Sequence, residues 1–399
     1  MSPFSEDITM KQQAPRLSSR FMYTASYTYP HFAPGSTEQS TAKGISVYSV
    51  APNGSLELVQ VIETPNPSFI TISQDQTMLY CVNELGIDDR KLDGMVSAFR
   101  IDSKTGELTF VNSQLTHGNW PCHCEIDSSG RYLMSSNYGS ANFVTHPINS
   151  DGSLGELSYQ HINQANGSGA EANRQSASHP HMITNSPSGK FVLGVDLGID
   201  QLLCWTMSEN GELNSAPVPV ANIASGNGPR HMVFHPSEQS VYVLSELSSS
   251  IDVFRFDKER GSMIWLQSIS TLPTDNDYVR PEFDPTNPGK VATGGNTGGE
   301  ICIDSKGGYV YASNRGMNSV AQFQVCPETF KLNALNWTPT QGDCPRGMAV
   351  EPDDQHLCVG NQNSNNIVRF AIDTTTGLLR PNPTVIDAPV PVDFAYAGY

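Results

Sequence analysis

The sequence predicts an all-β chain folded as a seven-bladed β-propeller with four antiparallel strands per blade. Three observations predict it. A unit of roughly 40–50 residues recurs along the whole chain, the period of a four-stranded blade. Each copy holds short apolar runs separated by Gly, Pro, Asn, Asp and Ser, which mark strands joined by turns. The composition suits this design: of 399 residues 16% are charged, with 33 Gly and 27 Pro.

The copies can be read in order. The first begins without an inner strand: "RFMYTASYT", "GISVYSV" and "NGSLELVQV" supply three strands, and "PVDFAYAG" near the C-terminus is expected to supply the fourth. The second is "NPSFITISQDQTMLYCVNEL" (66–85) followed by "MVSAFRID", and the third is "WPCHCEIDSSGRYLMSSNYG" (120–139) followed by "ANFVTHPIN". The fourth and fifth are "HPHMITNSPSGKFVLGVDLG" (179–198) with "QLLCWTMS", and "GPRHMVFHPSEQSVYVLSEL" (228–247) with "SIDVFRFD". The sixth and seventh are "GGEICIDSKGGYVYASNRG" (298–316) with "SVAQFQV", and "CPRGMAVEPDDQHLCVGNQN" (344–363) with "NIVRFAID". Each reads as inner strand, turn, second strand, polar tip and third strand. Turns such as "KTGELTF" then lead into a fourth strand. The second-strand tips fall at Asn83, Asn137, Asp196, Ser245, Asn314 and Asn361, spaced 47 to 69 residues apart. The widest interval holds "TDNDYVRPEFDPTNPGKVATGG" (274–295), expected to be a loop on the rim or a face. Residues 1–20 read as an N-terminal tail and 21–399 as a single propeller domain.

Charge and cysteine usage narrow the function. A net charge of −17 argues against a nucleic-acid binder, which needs clustered Lys and Arg. No run reaches the ~18 apolar residues of a membrane span. The opening "MSPFSEDITMKQQAPRLSSR" lacks the apolar core of a secretory signal. The eight cysteines are scattered rather than arranged as a disulfide framework, so reduced thiols in the cytoplasm are expected.

In a propeller the inner strands line a central channel. The residues that begin them should point at one channel mouth: Ser68, Cys122, His181, Arg230, Glu300 and Arg346. The residues just past the second-strand tips come from the same end: Tyr27, Glu84, Tyr138, Leu197, Glu246, Arg315 and Gln362. Several blades thus aim ionisable groups at one place, which marks a candidate site.

The stretches "GPRHMVFHP", "LYCVNEL" and "YASNRGMNSV" resemble the lactonase family of seven-bladed propellers. That family includes propeller-type 6-phosphogluconolactonases and fungal 3-carboxy-cis,cis-muconate lactonizing enzymes. The resemblance spans about residues 22 to 398. It implies a catalytic set of a histidine, two arginines and a glutamate, which fall here on His181, Arg230, Arg315 and Glu246. It also implies a small, anionic lactone as the partner. The chemistry of these residue types agrees. Histidine titrates near neutrality and can move a proton. Arginine stays charged and grips carboxylate or phosphate with two parallel hydrogen bonds. A glutamate among arginines stays ionised. Glu84, Tyr138, His179, His231, Glu300 and Arg346 are expected to bind substrate around this core.

Competing readings are fewer. The pair His179 and His181 in "HPH", and the cysteines of "CHC" at 122–124, suggest zinc, but neither has further ligands at a suitable spacing, so no metal or other cofactor is expected. Cys122 and Cys124 read as packed thiols and His235 as a turn residue. No Gly-x-Ser-x-Gly elbow is present. "TGGNTGGE" (293–300) lacks the Gly-Lys-Ser/Thr of a phosphate loop and reads as a flexible approach to Glu300. The expectation is a sugar-lactone hydrolase of the 6-phosphogluconolactonase type. A muconate-type lactonizing cyclase and a non-enzymatic propeller that binds a protein partner are the alternatives. The partner-binding alternative would show an exposed apolar patch on one face.

Overall fold

The period-two strands of each copy pair antiparallel with their chain neighbours, and the copies stack side by side. A computed structural model describes residues 19–29, 41–51, 54–86, 93–275, 277 and 295–399. It contains seven separate four-stranded sheets, each one blade. In chain order the strands are β1 (Arg20–Ser26), β2 (Gly44–Val50) and β3 (Leu56–Glu63). The second blade is β4 (Pro67–Ile72), β5 (Met78–Asn83), β6 (Met95–Ile101) and β7 (Leu108–Leu115). The third is β8 (Pro121–Ile126), β9 (Tyr132–Asn137), β10 (Asn142–Pro147) and β11 (Tyr159–Ile162). The fourth is β12 (Pro180–Asn185), β13 (Val192–Asp196), β14 (Gln201–Met207) and β15 (Leu213–Asn222). The fifth is β16 (Pro229–Phe234), β17 (Ser240–Ser245), β18 (Ser250–Asp257) and β19 (Ser262–Ser270). The sixth is β20 (Thr297–Ile303), β21 (Tyr309–Arg315), β22 (Ser319–Val325) and β23 (Leu332–Pro339). The seventh is β24 (Pro345–Val350), β25 (His356–Asn361), β26 (Asn366–Ala371) and β27 (Thr384–Asp387). β28 (Pro391–Ala397) pairs antiparallel with β1, Phe21 opposite Ala397, and completes the first blade. The ring therefore closes by joining the two ends of the chain, as the missing inner strand predicted. The expected tail lies, for residues 1–18, outside the described residues, as does nearly all of the 274–295 loop.

Apolar side chains between adjacent blades form the core. Phe191, Leu193, Val195, Met232, Val241 and Phe254, for example, interlock the fourth and fifth blades. Tyrosines on the second strands of several blades latch onto the next blade. Tyr23 donates to the Gly106 carbonyl at 2.9 Å, Tyr80 to Gly152 at 3.0 Å and Tyr311 to Gly377 at 2.9 Å. The large exposed apolar side chains lie mostly on outer strands around the rim, among them Leu58, Phe110, Ile162, Trp265 and Val385. All eight cysteines are free thiols. Among the described residues no helix is long and apolar enough to cross a membrane.

One irregularity recurs and positions the site. Where each inner strand meets its second strand, the pairing slips by an extra residue. Pro67 faces Asn83 but Phe69 faces Val82, leaving Ser68 unpaired. The same slip sets off Cys122, His181, Arg230 and Arg346. A β-bulge bends the strand and re-aims the extra side chain. The ring of bulges explains why residues at the start of inner strands look into the channel.

Candidate active site

The bulge residues of the fourth and fifth blades and the tips of the fifth and sixth bring the four principal residues together. Glu246, just after β17, is 4% exposed and forms the centre. Its Oε2 lies 3.0 Å from the Arg315 guanidinium, 3.4 Å from Nε of Arg230 and 4.0 Å from Nε2 of His181. Its Oε1 accepts a hydrogen bond at 2.6 Å from Arg174.

Arg174 escaped the sequence reading. It sits in the connection between β11 and β12, outside the repeated strands, so no register pointed to it. It is buried and also donates to the hydroxyl of Tyr138 at 3.2 and 3.3 Å. Tyr138 in turn stacks on His179 at 4.5 Å and meets His181 edge to face at 5.6 Å. His179 is fixed through Nδ1 on the Tyr138 carbonyl at 2.9 Å. These residues frame His181.

The sixth blade departs from the expected alignment. Its slip lies between Gly298, opposite Asn314, and Ile301, opposite Ala312. Counted from the second-strand tip, Gly299 takes the bulge place that Arg230 takes in the fifth blade. Glu300 falls one position further on, in line with His231. His231 Nδ1 and Glu300 Oε1 are 2.8 Å apart, while Glu300 stays 3.9 Å from Arg230. The sequence alignment puts Glu300 at the same inner-strand position as His181 and Arg230. The register sets it with His231 instead. The "GGE" glycines are also not a flexible approach. A Cβ on Gly298 would meet the Ser245 carbonyl at 2.7 Å, and one on Gly299 the Pro345 carbonyl at 2.7 Å. Glycine lets this backbone wedge between two blades. Its carbonyls then hold the arginines: Gly298 accepts from Arg315 and Gly299 from Arg230, both at 2.5 Å.

On the far side of the mouth stand Tyr27, Glu84 and Arg346. Tyr27 donates to Glu84 at 2.7 Å, and the Arg346 guanidinium lies 5.0 Å from the centre of the Tyr27 ring. A cavity of about 1100 Å³ opens from the opposite end of the channel and reaches Phe69, His123, His231, Glu300 and Asp393 from below. The arginine cluster does not line it.

The electrostatics follow from burial and proximity. Burial works to raise the Glu246 carboxyl, but Arg174, Arg315 and Arg230 outweigh it and hold it well below the usual carboxylate range. His181 is pushed well below its ordinary value, first by burial and then by Arg230 and His231. Its imidazole is neutral at pH 7. Arg230 is pushed down to about 10 by burial, Arg346 and Arg315, and so remains charged. Burial raises the Glu84 carboxyl above its usual value, against the pull of Arg346. The mouth therefore gathers four guanidiniums in a protein of net charge −17.

Among the described residues, Glu351, Asp353 and His356 bring ligand atoms close enough to share a cation. They sit beyond the other end of β24, and Arg369 already holds Glu351 at 2.5 and 2.9 Å. Cys122 and Cys124 are buried as packed thiols, and His235 bonds Ser237 within a turn at 2.7 Å.

Residues 23–396 match the family described as Lactonase, 7-bladed beta-propeller. The chain belongs to this family. Among its lactonase relatives, the 6-phosphogluconolactonase of Bacillus subtilis (strain 168) is 31% identical over 335 residues, covering 82% of this chain and 86% of the relative. That of Formosa agariphila is 29% identical over 353 residues, covering 87% and 93%. Among solved structures, the Pseudomonas aeruginosa periplasmic gluconolactonase PpgL superposes with a TM-score of 0.83 at 25% identity, covering 95% of this chain and 99% of that one.

Proposed function

We propose that this lactonase-family chain hydrolyses a sugar lactone of the 6-phosphogluconolactone type at the mouth formed by His181, Arg230, Glu246 and Arg315. The observation that carries the reading is the convergence on Glu246: an ionised carboxylate locks three arginines beside a neutral histidine. The relatives named 6-phosphogluconolactonase support the substrate class. The eight free thiols support a cytoplasmic reaction.

The chemistry proceeds through these groups. In this reading a water molecule reaches His181 Nε2, whose nearest carboxylate oxygen, Oε2 of Glu246, is 4.0 Å away. The neutral imidazole takes a proton from that water as it attacks the lactone carbonyl. The oxyanion that forms is stabilised by the positive charge of the surrounding guanidiniums. When the tetrahedral adduct collapses, the ring C–O bond breaks. The imidazolium returns its proton to the departing alkoxide. The new carboxylic acid ionises and releases one proton to solvent. Glu246 keeps the arginines in place and steadies the transient imidazolium. No step calls on a metal.

The test is a panel of phosphorylated sugar, sugar and aromatic-pathway lactones followed by pH-stat titration, with and without prior EDTA. Acid release from the phosphorylated sugar lactone well above the spontaneous rate, unchanged by EDTA, is expected. Turnover confined to the aromatic-pathway compounds would contradict the substrate class. Activity lost to EDTA and restored by a divalent ion would contradict the mechanism.

A further inference from the structure

The arginines at the mouth differ in what they are free to do. Arg174 is taken by Glu246 and Tyr138, Arg315 by Glu246 and the Gly298 carbonyl, and Arg230 by the Gly299 carbonyl, with Glu246 and Glu300 nearby. These three build the cluster. Arg346 has no hydrogen bond or ion pair with any described residue, and its guanidinium leans on the Tyr27 ring. Glu84 acts on its charge through space without bonding it. Arg346 is half-buried rather than sealed. It occupies the seventh blade's bulge, the position that His181 and Arg230 occupy in theirs, so it faces the same mouth. Around the ring it stands with the first and second blades, across the channel from His181. A half-buried guanidinium with open donors is poised for an anion. An aromatic face behind it fixes its orientation without using its N–H groups.

We propose that Arg346, backed by Tyr27, forms a separate subsite for the phosphomonoester of the substrate, while the Glu246 cluster handles the ester. A sugar lactone phosphorylated on its exocyclic carbon carries the phosphate on a flexible arm, separated from the ester carbonyl by the ring oxygen. A substrate spanning the mouth places the carbonyl beside His181 and the phosphate on Arg346. This subsite rests on the lactonase reading but is tested separately from it.

The test is Arg346→Met and Arg346→Lys, read in two ways. The first is the ratio of kcat/KM for 6-phosphogluconolactone to that for gluconolactone. The second is calorimetric affinity for 6-phosphogluconate, with gluconate and inorganic phosphate as controls. Arg346→Met should lower the ratio and the 6-phosphogluconate affinity by about 10- to 100-fold, the scale of one lost charge-assisted pair. Arg346→Lys, which keeps the charge but loses the fork, should fall between Arg346→Met and wild type. A thermal melt identifies a variant that fails to fold, in which case Arg346→Lys carries the comparison. An unchanged ratio with unchanged 6-phosphogluconate affinity overturns the subsite. If wild type turns over neither lactone, the lactonase reading fails, and the affinity measurements still decide the subsite.

Discussion

At the scale of single residues, Glu246 is the counter-charge to Arg174, Arg230 and Arg315. Removing one member of a buried ion cluster leaves the others uncompensated, which costs far more than the cluster's net worth. Glu246→Ala should therefore lower unfolding free energy by about 3–5 kcal/mol in urea titrations, as well as abolish turnover. A fully stable variant would show that the arginines do not need this carboxylate. The proposed role of His181 as proton acceptor predicts the pH behaviour. The folded value of the His181 imidazole lies below the ordinary histidine value, so the neutral, proton-accepting form persists as pH falls through about 6.5. The acid limb of kcat/KM should accordingly lie below about pH 6.5. A limb at or above that value would mean that another group accepts the proton. That His181, Arg230, Glu246 and Arg315 come from one end of the ring was legible in the sequence because each holds a fixed place in a repeat, and the family resemblance singled these four out from the other mouth positions. Arg174 was not, because a connection between blades has no repeat to align. The separate employment of Arg346 was also hidden. Residue type shows that an arginine can bind an anion, but only the hydrogen-bond pattern shows which arginine is unoccupied.

At the scale of elements, the bulge and the tight turn do most of the positioning. The bulge left no sequence signal that separated it from plain pairing. That is why Glu300 sits a step deeper than its alignment suggested: Gly299 holds the bulge place and has no side chain to announce it. The turn between inner and second strands was clearer. It places a left-handed residue four positions after the strand in each case, at Gln76, Gly130, Gly189, Glu238, Gly307 and Asp354. In the third blade Asp127 caps the turn, accepting from the backbone N–H groups of Arg131 and Tyr132 at 2.8 and 2.7 Å. Gly130 has φ +73, and a Cβ there would meet nothing within 4 Å, so Gly130→Ala isolates the backbone term. It should cost about 1 kcal/mol, read from the denaturation midpoint at unchanged slope. No change would mean that the turn relaxes to another geometry.

At the scale of the whole molecule, the blade count and the closure were legible because repetition multiplies a weak strand signal seven times. β28 completing the first blade follows from the same arithmetic, since the opening copy lacks an inner strand. The ring is what makes a site from distant sequence: His181, Arg230, Glu246, Arg315 and Arg346 lie on four blades and meet only because the blades share one channel. It also gathers four guanidiniums at one mouth of an acidic protein, the arrangement on which the proposed anionic substrate depends. The central claim is that this mouth opens a lactone by proton transfer through His181. The most direct measurement is kcat for acid release from 6-phosphogluconolactone by His181→Asn at saturating substrate, beside wild type of equal thermal stability. A fall of about 10²–10⁴ is predicted. A variant that turns over at the wild-type rate would contradict it.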